Sequence, residues 1–182
     1  MNKILASLFL SMALLLSVNA TAARLVISEG DFDAVACDAP VKVVIDFNST
    51  TVAGLSLDEF LTDINHSGEF KHELNNYYAD FIKRFNRKCE LLMLTRSGDR
   101  AVILTVNVKT INTKGNEAYI EYVFSDAATG QRLVVVTGTT KEGRVGSFSN
   151  LVGDVIREAG GELGDFVARK IRKTNVVDDP IY

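Results

Sequence analysis

The sequence predicts an α+β fold, a two-layer sandwich whose antiparallel-rich sheet, in the order β-α-α-β-β-β-β-α, carries its helices on one face. Three observations lead there. Apolar residues recur at three and four positions through residues 69–88, then alternate through residues 100–111 and again through 117–125, then return to helical spacing near the C-terminus. Strands gathered into a run and flanked by helices belong to the α+β class.

The elements follow in order. Val41 to Phe47 is β-branched and follows a proline, so it reads as the first strand; the small polar residues from Asn48 to Gly54 read as a loop. Ser56 and Glu59 have the spacing of a capping box and start a helix that ends near Asn65. After Ser67-Gly68 a longer helix runs from Glu69 to Lys88, with Phe70, Leu74, Tyr77, Tyr78, Phe81, Ile82 and Phe85 on one face. Lys83, Arg84, Arg87 and Lys88 gather at its C-terminal end, where positive charge suits the helix dipole. Glu90 to Thr95 reads as a short strand.

Arg100 to Ile111 sets Val102, Leu104, Val106 and Val108 on one side, and Glu117 to Ser125 does the same with Ala118, Ile120, Tyr122 and Phe124. Lys114-Gly115-Asn116 and Asp126 to Gly130 supply the turns, and Gln131 to Thr139 completes a meander. A last helix spans Ser149 to Lys173. Gly153, Gly160 and Gly164 form a smooth strip along it, each costing roughly 1 kcal/mol against alanine. Close approach to the sheet, or to a helix of another copy, would compensate.

Ahead of these elements, Met1-Asn2-Lys3, the apolar run Ile4 to Val18 and the small residues Asn19 to Ala23 compose a secretory signal peptide. Cuts after Ala20 and after Ala22 both fit, the second being preferred. A membrane span needs about 20 apolar residues, more than this run offers. The expected division is residues 1–22 as signal peptide and 23–182 as a single globular domain, soluble and either periplasmic or extracellular, with no transmembrane span after cleavage. No cysteine stands at the cut to carry a lipid.

With 23 acidic and 20 basic residues, the composition lacks the basic surplus of a nucleic-acid binder. Cys37 and Cys89 are the two cysteines, each just ahead of a strand. If a helical crossover makes those strands parallel neighbours, both lie at one end of the sheet, and an exported address permits a disulfide between them. Closing a loop of about 50 residues is worth roughly 4 kcal/mol in the chain-entropy model. Two buried thiols are the alternative.

Chemistry is sparse. Asp63, His66, His72 and Glu73 match no established metal-ligand spacing, and no Ser-His-Asp or Cys-His arrangement can be drawn. No catalytic residue, metal or cofactor is assigned. Two places could hold a ligand: Asp46 with the loop from Asn48 to Thr51, at a strand end where open sheets bind small molecules, and Arg144 in the connector Gly143 to Ser147, where helix amides attract anions.

The first strand ending in Val44-Ile45-Asp46-Phe47, the hairpin from Asp126 to Gly130, the glycine-rich connector and the terminal-helix run from Ala159 to Phe166 together resemble exported Gram-negative domains of unknown function. Their layout is similar to the small α/β domains of TolB's N-terminal part and of the curli-secretion lipoprotein. The resemblance implies an envelope setting and an assembly or binding role, and it transfers no catalytic residue. The expectation is therefore a non-enzymatic binding module for a protein or cell-envelope polymer. Its contact surface would be the sheet face bearing Thr105, Asn107, Lys109, Tyr119 and Glu121, which no helix is expected to cover. The alternative is a small-molecule or anion binder, or a hydrolase, with its site near the end of the first strand.

Overall fold

The computed structural model describes residues 25–35 and 39–177, with side chains as far as residue 172. The signal peptide and Cys37 lie outside the described residues.

The described residues form an α+β fold with eight strands and three α-helices. In order these are β1 (Val26–Gly30), a 3-10 turn (Phe32–Ala34), β2 (Val41–Asp46), β3 (Thr51–Val52), β4 (Leu55–Ser56), α1 (Leu57–Asp63), α2 (Ser67–Lys88), β5 (Leu94–Thr95), β6 (Val102–Ile111), β7 (Glu117–Asp126), β8 (Arg132–Lys141) and α3 (Phe148–Val177). The main sheet runs β1-β8-β7-β6-β2-β5, with β3 continuing the line of β2 along β6 and β4 pairing β3.

The sheet is mixed, which corrects the antiparallel-rich expectation. β6, β7 and β8 do form the expected antiparallel meander, and β1 adds to β8 antiparallel. β2, however, lies parallel to both β5 and β6, and β3 is parallel to β6. The reason is the connection: α1 and α2 lie between β2 and β5, and a strand reached through a helical crossover runs parallel to the one before it.

Several local signals act as read. Ser56 Oγ accepts from Glu59 N at 3.3 Å while Glu59 Oε2 accepts from Ser56 N at 2.9 Å, closing the capping box of α1. Asp126 Oδ1 accepts from the amides of Ala128 and Thr129 at the β7–β8 turn, and Gly130 there has φ +72°. The stretch from Asn48 to Gly54, expected to be a loop, instead starts the small β3–β4 hairpin, turned by Ala53 and Gly54 at positive φ. Thr50 anchors it, donating from a buried hydroxyl to Val108 O at 2.6 Å. The expected strand over 90–95 shortens to Leu94–Thr95.

One core holds the elements together. Val102, Leu104, Val106 and Val108 of β6 are buried with Ala118, Ile120, Tyr122 and Phe124 of β7, beneath Phe81 and Phe85 of α2 and Ile156, Leu163 and Val167 of α3. Phe81 stacks on Tyr122 with ring centroids 6.5 Å apart. The glycine strip of α3 meets α2 and not the sheet. A Cβ on Gly160 would stand 2.4 Å from Phe81 O, one on Gly164 2.8 Å from Phe85 O, and one on Gly153 2.9 Å from the Tyr77 ring. Hydrogen in place of a methyl lets the two helix backbones touch.

Candidate functional site

β2 ends where two helices fold back over it, and a cavity of about 330 Å³ opens there. Its apolar floor comes from Phe47, Leu57, Leu61, Phe70 and Leu74, and its polar rim from Asp46, Asn48, Asp58, Lys71 and Tyr78. The floor is a consequence of helical spacing: Leu57 and Leu61 are one turn apart on α1, Phe70 and Leu74 one turn apart on α2. Phe47 and Phe70 lock edge to face, centroids 5.3 Å apart.

The rim is partly pre-set. Asp46 Oδ1 accepts from Asn48 N at 2.8 Å, a local turn that fixes the carboxylate at the strand end. The Tyr78 hydroxyl accepts from Ile45 N at 2.8 Å and donates to Ile45 O at 3.1 Å. It thereby satisfies an edge of β2 that β5 covers only at Val41 and Lys42. Arg96 lies over the Tyr78 ring, 4.7 Å from its centroid, and donates to Asn75 Oδ1 at 2.7 Å. In volume the cavity falls within the range of small-molecule sites, and polar and apolar groups line it in similar measure.

Of the residues singled out in the sequence, Asp46 and Asn48 come together here, while Arg144 does not line the cavity. Arg144 is exposed on the connector between β8 and α3. At that helix start Ser147 Oγ accepts from Asn150 N at 3.4 Å and donates to the Glu69 carboxylate, whose other oxygen lies 2.6 Å from His66 Nδ1. The Ser147 hydrogen bond, then His66, holds Glu69 below the usual carboxylate range.

Asp58, Lys71 and Tyr78 also line the cavity, and sequence reasoning did not place them there. Tyr78 reads as part of an apolar helix face, and its hydroxyl role is set by a strand 33 residues away. His72 is exposed, 3.5 Å from Glu73, and among the described residues no three His, Cys, Asp or Glu side chains are placed to share an ion.

The sheet face turned away from the core carries a polar ladder. Glu121 Oε1 accepts from Asn107 Nδ2 at 3.2 Å and lies 3.3 Å from Lys109 Nζ; Arg132 reaches Glu121 at 3.9 Å and Glu29 at 3.3 Å. Val123 and Val135, register partners on β7 and β8, are only 9% and 1% exposed beside it, while Tyr119 is 41% exposed. Cys89 is buried at the C-terminal end of α2, and Val41 N donates to Met93 O at 2.8 Å just beyond it. The start of β2 and the segment after Cys89 thus meet, as the parallel arrangement required.

No family model and no curated protein matches the chain. Among solved structures, PelC dodecamers from Paraburkholderia phytofirmans show partial likeness. One is 12% identical, over 78% of this chain and 97% of that one, with a TM-score of 0.41; another is 10% identical over the same shares, at 0.40. A Xanthomonas campestris protein of family DUF330 is 8% identical over 86% and 99%, at 0.36. A domain of unknown function is thus among the neighbours, whereas TolB and the curli-secretion lipoprotein are not among those named. At these scores no shared role follows. Among the described residues no helix is long and apolar enough to cross a membrane.

Proposed function

We propose that the mature chain is a non-enzymatic binding module of the exported compartment, which takes a small zwitterion with an apolar body into the cavity at the end of β2. One observation carries this reading: carboxylates of Asp46 and Asp58 share a rim with the Lys71 ammonium above an apolar floor. A ligand ammonium answers the carboxylates, a ligand carboxylate answers Lys71, and the body displaces water from Phe47, Leu61, Phe70 and Leu74.

Calorimetry on residues 23–182 with a panel of hydrophobic amino acids, their methyl esters and their N-acetyl forms tests it. Asp46→Asn keeps the oxygen that accepts from Asn48 N and removes the charge, so it should weaken binding of the best zwitterion roughly tenfold. Binding of no panel member, or equal binding by the variant and by the N-acetyl form, would overturn the proposal.

A second reading, contact with a protein or envelope polymer across the open sheet face, is supported by the exposed Tyr119 beside the Glu121 ladder. The likeness to TolB and the curli-secretion lipoprotein belongs to this reading. The same exported address carries a further proposal, a disulfide between Cys37 and Cys89, which would tie the lead into β2 to the end of α2. Mass measurement after alkylation without reductant should show both thiols protected; labelling of both would rule the bond out.

A further inference from the structure

The basic residues at the end of α2 do more than suit a helix dipole. Asp80, Lys83, Arg84 and Arg87 share one face of α2, and Arg157 of α3 joins them around a groove of about 150 Å³ between the helices. We infer that this groove binds a phosphoryl or sulfuryl oxyanion, on a surface separate from the cavity at β2.

Arg84 is built into place. Its Nη2 lies 3.2 Å from Glu158 Oε2 across the seam, and its stem runs over Gly161, where a Cβ would come within 3.1 Å of Cγ. Its Nε is buried with no acceptor among the described residues, a donor whose desolvation is uncompensated. Arg157 is steadied by Asp154 at 2.9 Å. Lys83 and Arg87 are exposed and form no ion pair among the described residues, so two full positive charges stand at the mouth unanswered. Cations outnumber carboxylates here although the chain as a whole is acidic, at net −3. Guanidinium forks beside a lysine match a tetrahedral oxyanion, which accepts paired donors from each fork. The groove has room for roughly five waters, space enough for one such group.

The test titrates residues 23–182 with inorganic phosphate, and separately with vesicles bearing phosphatidic acid, at constant ionic strength. Wild-type protein should bind at least one of the two saturably, the responding arm telling a free from a lipid-borne group. Lys83→Gln with Arg87→Gln should weaken that binding at least tenfold, while Asp80→Asn should tighten it several-fold. The Asp80 gain cannot arise from a misfolded variant, and circular dichroism melts check the double variant directly. Binding in neither arm, or binding unchanged by the double variant, would overturn the inference.

Discussion

The α2–α3 seam and the outward face of the sheet treat side chains in opposite ways. At the seam, side chains are stripped to hydrogen so that Gly160 and Gly164 meet the carbonyls of Phe81 and Phe85. On the sheet face, long polar side chains are kept and tied to one another, and the Glu121 ladder crosses four strands. The seam gains from backbone contact and has no slack. The face gains little from each ion pair, because partly exposed pairs contribute about 0–1 kcal/mol. Substitution should therefore be felt sharply on one and faintly on the other, which suits a rigid helix pair holding a surface free to vary.

Gly160→Ala is the strongest way to break this contrast. The new methyl would lie against backbone, which cannot rotate aside, so urea unfolding should show a loss of about 3 kcal/mol. A loss below 1 kcal/mol would mean the helices separate at little cost and the seam is not tight.

Glu162 gives a smaller test, on the side of α3 that faces the sheet. Thr140 Oγ1 donates to its Oε2 at 2.5 Å, and burial raises its pKa above the ordinary value of 4.5, with Glu158 and Glu142 adding to the rise. The folded state therefore holds this proton to higher pH than the unfolded chain. The stabilisation is complete below pH 4.5 and is lost as pH rises through the raised value. Glu162→Gln should stabilise the protein at pH 7.5 and not at pH 4, an effect smaller than that of Gly160→Ala. Equal effects at both pH values would remove the titration from the account.

Smallest is Glu121→Gln on the open face, expected to change stability by less than about 0.5 kcal/mol. A cost above 1 kcal/mol would sharpen the comparison the other way, making the ladder a structural part of the sheet.

Long elements were legible because each carries its own period. The alternation of Val102 to Val108 names a strand and its buried face without reference to anything else. β1 was not read: Val26-Ile27-Ser28-Glu29-Gly30 is short and mostly exposed, and only pairing with β8 makes it a strand. The β3–β4 hairpin was missed for the same reason, held by Thr50 reaching Val108 O. Periodicity identified the glycine strip as a contact face but could not say what it touched, so α2 replaced the sheet as its neighbour. At the cavity, Asp46 and Asn48 were visible because strand ends are common ligand positions. Asp58, Lys71 and Tyr78 were hidden because helix spacing describes a face and not which strand end that face will overhang.

The β1–β8 pairing has a consequence for how the molecule comes into being. Ser28 Oγ donates to Val135 O across 107 residues of chain, so among the described residues the first strand closes against the last. Contacts that distant form late, after the meander and the helices have drawn the ends together. A chain emerging N-terminus first must hold residues 26–30 unpaired until β8 is through, which makes that short segment the natural handle for any chaperone that attends its birth.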